Sequence, residues 1–353
     1  MLAAVNAERF RNLAPLVWTP GPGSHLVLGG NGAGKTSLLE SIYVLATTRS
    51  FRAAQVADCV RHGSSSFDLT GEVETGHRTR LAVAWRDGAR ERSVNGKPTV
   101  LSEHLAVLPV VAWTAAEAEV LVGAPTARRR FMDRGVVGTR PAALELLGRY
   151  REALRQKRQL LVQGVAGMEV WNELLAACAA EVIRLRDAYV DELRRLLAEV
   201  VAKSGLTLPA VELRYRPSPA GGLAGTEAIA GELERIAPRE RRRGLPLLGP
   251  HRDDLEILWG GHDIRRVASA GERKALSLLL LRAHGRVIER AGRSPVYLLD
   301  DADAELAPPT LSAVWRVFDR SPQLFASSNR PQVWLTLPVG QVWEMERGKI
   351  ALL

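Results

Sequence analysis

The sequence predicts an α/β fold assembled from both ends of the chain around a helical insertion. Three observations carry this. Strand-like runs and one helix fill residues 1–113, helical periodicity with few strand signals fills the middle, and strand signals return after Gly244. Residues 24–29 form a short apolar run, and across 35–46 Leu38, Leu39, Ile42 and Leu45 recur at helical spacing. Segments 67–74 and 79–86 alternate apolar and polar residues, with Asp87-Gly88 and Asn95-Gly96 as hairpin turns, which reads as a β meander. Residues 171–203 read as one helix with Leu174, Val182, Leu185, Tyr189, Leu193 and Leu196/Leu197 along one stripe, long enough for an arm and too short for a rod. The stretch 216–225 reads as a loop. Strands are expected again at 254–259, 295–299, 323–327 and 341–345, with a strong helix at 271–290. Two lobes follow: 1–113 with 294–353, and 114–293.

Charge narrows the partners. The 353 residues carry 48 Lys and Arg against 39 Asp and Glu, a formal net charge of +9, and only six of the cations are lysine. Such a balance favours polyanions, and guanidinium grips phosphate in a bidentate way that ammonium cannot. Codon bias is the duller source of so many arginines. The two cysteines, Cys59 and Cys178, form no metal-type cluster, which points to a reducing cytoplasm. No run approaches a membrane span, so no membrane or signal segment is expected.

The sharpest chemical signal is Gly29-Gly30-Asn31-Gly32-Ala33-Gly34-Lys35-Thr36, followed by Ser37: a complete GxxxxGKT phosphate loop between an apolar strand and an amphipathic helix. Its glycines let backbone N–H groups face phosphate oxygens of ATP, Lys35 reaches the β/γ-phosphates, and Thr36 ligates Mg2+. A carboxylate must hold the metal side and another group must orient water. Asp300 and Asp301, ending the apolar run from Pro295, supply both. Ser269-Ala270-Gly271-Glu272 opens the helix about 30 residues earlier. An N-cap serine with a permissive glycine explains it locally. Its position between the two nucleotide motifs matches instead the ABC-type signature, in which serine, glycine and helix N-terminus bind the γ-phosphate held by a partner subunit.

With these motifs in place, the chain resembles the RecF family of bacterial recombination-repair ATPases in the ABC/SMC superfamily. The likeness runs through the phosphate loop with residues 38–43, Arg49 to Arg52, Arg128 to Asp133, Trp171, Gly249-Pro250-His251-Arg252-Asp253-Asp254, Ser269 and the Asp pair. It implies an ABC-type P-loop ATPase head with a helical, signature-bearing second lobe and no long coiled coil. It also implies a homodimer closed on MgATP, binding to duplex or gapped DNA, and action with RecO and RecR to load RecA. Several residues depart from the family. Ala304-Glu305-Leu306-Ala307 stands where Ser-Glu-Leu-Asp is usual, Glu272 replaces glutamine, Pro246 replaces threonine, and Ser327-Ser328-Asn329 lies where many ABC ATPases carry a switch histidine. Retained nucleotide binding with slow turnover and weaker coupling is expected, and a DNA clamp using ATP only as a dimerisation ligand is the alternative. A metabolic kinase is disfavoured by the Ser269 motif.

Three arginine groups are candidates for phosphate backbone: Arg128, Arg129 and Arg130 with Arg134; Arg151, Arg155 and Arg158; and Arg239 with Arg241, Arg242 and Arg243. The competing reading is a solvated surface with Glu145, Glu152 and Glu240 as counter-charges, or, for the first group, buried structure. His251 is assigned to supporting the lobe interface or nucleotide rather than a metal. Trp113, Trp171, Trp315, Trp334 and Trp343 are assigned to core or interface.

Overall fold

The computed structural model describes residues 1–165, 167–219, 225–319 and 321–353, so the expected loop at 216–225 lies partly outside the described residues, at 220–224. The chain opens with β1 (Leu2–Glu8), β2 (Leu16–Trp18) and β3 (Gly23–Leu28), then α1 (Lys35–Thr47). Leu38, Leu39, Ile42 and Leu45 are fully buried, the stripe that their spacing predicts. The meander follows as β4 (Phe67–Glu74), β5 (Arg78–Arg86), β6 (Ala89–Val94) and β7 (Lys97–Pro98). Its turns take left-handed backbone at both central residues, with φ of 51° and 75° at Asp87-Gly88 and 51° and 76° at Asn95-Gly96. That geometry matches strand twist and pins Arg86 opposite Ala89 and Val94 opposite Lys97. Then come α2 (Leu101–Val107) and β8 (Val110–Trp113).

The middle of the chain is helical: α3 (Glu119–Val122), α4 (Pro125–Thr139), α5 (Ala143–Gln163) and α6 (Glu169–Ser204). At 36 residues α6 is about 54 Å long, the single long helix its periodicity predicts. After it, β9 (Val211–Arg216) precedes α7 (Thr226–Arg243), β10 (Asp254–Trp259), β11 (His262–Asp263) and α8 (Ile264–Val267). The sequence pattern does not reveal β9, whose only buried residue is Leu213; pairing along the whole of β10 makes it a strand.

The return is regular: α9 (Ala270–Arg290), β12 (Val296–Leu299), α10 (Pro308–Phe318), β13 (Gln323–Ser328), β14 (Gln341–Glu346) and β15 (Lys349–Leu352). One sheet has the order β15-β14-β3-β13-β12-β8, so an N-terminal strand is inserted among C-terminal ones, as the sequence predicts. Its pairings are parallel except β14 with β15, and every residue of β12 and β13 is buried, as a sheet covered on both faces requires. A second sheet, β2-β1-β4-β5-β6-β7, is antiparallel.

Packing divides the chain into two compact units: Met1–Ala118, Leu196–Leu208 and Ser269–Leu353 in the first, Glu119–Arg195 and Pro209–Ala268 in the second. The sequence pattern groups α9 with the 114–293 lobe, whereas packing places it with the first unit. The reason is chemical. Trp113 Nε1 on β8 donates to Ser277 Oγ at 2.8 Å, and the buried Arg282 donates to the Tyr297 hydroxyl on β12, to Glu289 Oε1 at 2.7 Å and to the Val317 carbonyl at 2.9 Å. Tyr297 lies so close to Gly285 that a side chain there would collide with its ring.

In the second unit the stretch from Gly249 to Asp254 is a buried polar junction. Asp253, with no exposure, accepts Arg186 Nη1 at 2.8 Å, the Ser218 backbone N–H at 2.8 Å and the Tyr215 hydroxyl. Arg186 also donates to Asp133 at 2.7 Å and to the Pro250 carbonyl at 2.7 Å. Removing one partner of such a network leaves a desolvated charge. Asp253→Ala is expected to lower stability by about 3–5 kcal/mol, read as a fall in the urea midpoint; a loss near zero would mean that Arg186 is not held by this carboxylate.

Candidate nucleotide site

The loop between β3 and α1 is shaped by its glycines. Gly34 is the N-cap of α1 with φ 116°, a backbone conformation that disfavours any side chain, and it packs closely against Gly348 Cα and Leu13. Gly29 lies against the Met345 carbonyl with no room for a Cβ. The first turn of α1 has no acidic residue and no side-chain cap, which leaves its N–H groups for an anion. Lys35 Nζ donates to the carbonyls of Gly29 at 2.9 Å and Gly30 at 3.1 Å, spanning the loop. Ser37 Oγ donates to Asn12 Oδ1 at 2.7 Å, and Asn12 Nδ2 donates to the Gly32 carbonyl at 2.8 Å, bracing the loop from the turn after β1.

The aspartate pair meets this loop. Asp300 Oδ1 accepts the Thr36 hydroxyl at 2.9 Å and the Ser327 hydroxyl at 2.8 Å. Burial pushes its carboxyl above the usual range, the Asp301 charge adds to this, and the two hydroxyls pull against it. Ser327 Oγ also accepts the Asp301 N–H at 2.9 Å, so one serine spaces both acids. Asp301 is left-handed, φ 46°, and its Oδ1 is buried without a hydrogen-bond partner. Asn329 Nδ2 donates to Asn31 Oδ1 at 3.0 Å. The segment without the switch histidine therefore touches both the acids and the loop.

A cavity of about 660 Å³ opens beside the loop, lined by Asn31, Gly32, Ala33, Gly34, Lys35, Thr36, Ser37 and Asp301 and, beyond the motif, by Arg11, Asn12, Arg52, Asp58, Val60, Arg61 and His62. Of this second wall only Arg52 lies in a stretch singled out by the sequence pattern. Arg11 is fixed by the fully buried Glu40 of α1, which accepts its Nε at 2.9 Å and Nη2 at 2.8 Å. Glu40 also accepts the hydroxyl of Ser50. Cys59 joins the cluster at 3.7 Å from Glu40 Oε1, and burial, reinforced by the Glu40 charge, pushes its thiol up to about 12. The other sequence signal for this wall is a glutamate amid the apolar residues of α1, at a position that must find a cation.

Ser269 and Gly271 stand elsewhere in the first unit and line no part of this cavity. Ser269 is the exposed N-cap of α9: its Oγ accepts the Glu272 N–H at 3.3 Å, and Glu272 Oε2 accepts the Ser269 N–H at 2.7 Å, a reciprocal capping box. These bonds hold the Glu272 carboxyl below its ordinary range, with the Ser269 backbone N–H as the main cause. Ser269 is thus the capped, exposed helix start that its local pattern implies.

The arginine groups divide. Arg128 is buried, gripping Asp254 through Nε at 2.6 Å and Nη2 at 2.9 Å, and Arg129 donates to the Asp253 carbonyl at 2.9 Å. Neither is a free surface cation: Arg128 is buried structure, one of the two readings of this group, Arg129 is half-buried, and Arg130 is exposed. Arg155 is paired with Glu152 at 2.6 Å. Glu240, expected to offset the arginines around it, is buried and paired with Lys157 at 2.6 Å. His251 accepts or shares a proton with the Tyr150 hydroxyl at 2.7 Å, and burial pushes its imidazole down to about 4. Trp113, Trp315 and Trp334 are buried, with Trp171 and Trp343 partly so.

Residues 1–336 match the family described as RecF/RecN/SMC N terminal domain. The DNA replication and repair protein RecF of Geotalea daltonii is 34% identical over 315 residues, 86% of this chain and 86% of that one. Its counterpart in Myxococcus xanthus is 35% identical over 321 residues, covering 87% of this chain and 84% of the relative. A solved structure of the recombination mediator protein RecF-ATP in the RecFOR pathway has the same fold, with a TM-score of 0.88 at 22% identity over 100% of this chain and 97% of that one. An Smc head bound to the C-winged helix domain of ScpA gives 0.60 at 15% identity, over 100% and 97%. Shared identity along most of both sequences, on a common head architecture, means that this chain belongs to the RecF family of ABC-type ATPases.

Proposed function

We propose that the chain is an ATP-dependent DNA-binding protein of recombinational repair, closing as a homodimer on two MgATP molecules and reopening on slow hydrolysis. One observation carries the reading: Lys35, Thr36, Ser37 and Asp301 border one cavity with Asp300 bonded to Thr36, while Ser269 and Gly271, the remaining phosphate-binding candidates, lie outside it. A phosphate-binding helix start that does not serve its own chain's cavity calls for a second copy.

In this reading the N–H groups from Gly30 to Ser37 and the Lys35 ammonium bind the β- and γ-phosphates, and Gly29 sets the loop's entry. Thr36 and Asp300 would hold Mg2+. A hydroxyl and a carboxylate suit a hard cation, and among the described residues no three His, Cys, Asp or Glu side chains gather to hold one, so phosphate and water complete its shell. The metal supplies charge neutralisation at the phosphates. Asp301 Oδ1, buried with no partner, accepts a hydrogen bond from water. The water oxygen attacks the γ-phosphorus as the bond to the bridging oxygen of ADP breaks, releasing ADP and phosphate. An aspartate reaches less far than a glutamate, consistent with slow turnover. Ser269, Gly271 and the α9 N-terminus act on the partner's γ-phosphate.

The names of the relatives, DNA replication and repair proteins, and of the solved neighbour, a recombination mediator of the RecFOR pathway, support DNA, RecO and RecR as partners; duplex or gapped DNA as the form bound and help in loading RecA as the role are what the family resemblance implies. Among the described residues no helix is long and apolar enough to cross a membrane, and we assign the protein to the cytoplasm as part of this proposal. Ala304 and Ala307 favour a second reading, a clamp that binds ATP without appreciable turnover.

Light scattering after size exclusion, with and without MgATP, tests the sandwich: the wild type is expected to dimerise with nucleotide, and Ser269→Arg to stay monomeric while still binding ATP. An ATP-dependent dimer indifferent to Ser269→Arg would refute it. Glu272→Gln keeps the capping hydrogen bond but removes a negative charge from the helix start, so it is expected to tighten the dimer by about 2- to 5-fold, in line with charge effects at helix termini. Asp301→Asn is expected to reduce phosphate release by at least about 10-fold; background turnover that the substitution leaves unchanged would select the clamp.

A further inference from the structure

We infer that the C-terminal turn of α7, carrying Arg239, Arg241, Arg242 and Arg243, is the surface of the second unit that contacts the phosphate backbone of duplex DNA. The inference rests on the DNA-binding reading above and says where that binding occurs.

Several surface arginines on the long helices of this unit are neutralised by an acid three residues earlier. Arg155 meets Glu152 at 2.6 Å, Arg184 meets Glu181 at 2.6 Å, and Arg235 meets Glu232 at 2.5 Å. The α7 terminus has no such pair. Its four arginines are exposed, and among the described residues none has an ion-pair partner. The one acid within the run, Glu240, points inward with no exposure, where Lys157 of α5 takes one oxygen at 2.6 Å and the Leu247 N–H the other at 2.8 Å. A buried lysine thus withdraws the one counter-charge within the run and leaves all four cations unopposed at the surface.

That arrangement works against helix stability. Arg239 faces Arg242 and Arg243 at i,i+3 and i,i+4, where like charges repel. A helix C-terminus favours a cation or two in its last turn, but four without partners exceed what the dipole needs. A ligand with closely spaced, unsaturable negative charge relieves the repulsion, and backbone phosphates at regular spacing are that ligand. In the first arginine group Arg128 and Arg129 cannot serve in the same way, because they are committed to Asp254 and the Asp253 carbonyl.

The test is fluorescence anisotropy of a labelled duplex with the full chain and a non-hydrolysable ATP analogue, across a salt series. Replacing Arg241, Arg242 and Arg243 by glutamine is expected to flatten the slope of log affinity against log salt by about 2–3 and to weaken binding at low salt on the order of 100-fold. Lysines at the same three positions should restore the slope, since counterion release depends on charge. The control triple R155Q, R184Q and R235Q removes the same net charge from paired positions and should leave the slope within about 1 of wild type. Nucleotide binding should be unchanged in all variants. If wild type binds duplex and the 241–243 glutamine variant matches it in affinity and slope, the inference is overturned and the patch belongs to something else, such as an acidic protein. Wild type that binds no duplex would overturn the DNA reading itself, a failure visible before any variant is made.

Discussion

The bond from Thr36 Oγ1 to Asp300 Oδ1, 2.9 Å long across 264 residues of sequence, is the contact on which the candidate site depends. It exists because β13 runs between β3 and β12, pairing Ala326 with both Leu26 and Leu299 and Ser328 with Leu28. Parallel strands end on the same side, so the segments leaving β3, β12 and β13 converge at one edge, where open α/β sheets place their ligands. Ser327 supplies the third member, bonded to Asp300 and to the Asp301 N–H. A slip of one residue would turn Ser327 to the other face of the sheet and separate the acids from the loop. Burial on both faces of β12 and β13 resists that slip, so core packing and site geometry are one constraint.

That dependence explains which parts were legible in the sequence. The glycine loop, α1 and the Asp pair are local patterns, each written in fewer than about a dozen consecutive residues, the range over which periodicity and motif spacing are informative. Ser327 is different: in an all-buried strand nothing in its neighbours distinguishes a serine that bridges two acids from one that fills space. Arg11 and Asn12 were equally hidden, because their roles come from Glu40 and the Gly32 carbonyl, groups far along the chain. The strand β9 is legible only through β10, and α9 reads as part of the helical insertion until Arg282 and Ser277 are seen bonded to the sheet.

Charge taught the same lesson in reverse. Arginine clusters look alike in sequence, yet their meaning depends on where the nearest acid points. Asp254 faces Arg128 and makes it structural; Glu240 turns away from its neighbours to Lys157 and leaves them uncompensated. A tally of acids and bases along the chain counts Glu240 as a partner of Arg239 and Arg241, whereas burial removes it from the surface altogether. The buried lysine, one of only six in the chain, thereby shapes a surface it does not reach.

The alanines at 304 and 307 can be weighed in the same terms. The turn after the Asp pair departs from regular backbone, with Asp301 at φ 46° and Glu305 at φ 64°, and something must hold it there. Lys274 of α9 does so by donating to the Ala304 carbonyl and, at 3.4 Å, to that of Asp301, its amine lying 4.8 Å from the centre of the Trp113 ring. Asp303 is anchored through its carboxylate to Ser328 at 2.7 Å and through its carbonyl to Arg330 at 3.0 Å. These bonds involve main chain and Asp303, not the side chains at 304 or 307, so the alanines leave the position of Asp301 intact. What they remove is side-chain polarity at the outer part of the turn, where Ala307 is exposed. Within one copy the acid geometry therefore does not depend on the side chains at 304 and 307, and the departure from the family pattern is confined to the polarity of the turn outside that geometry.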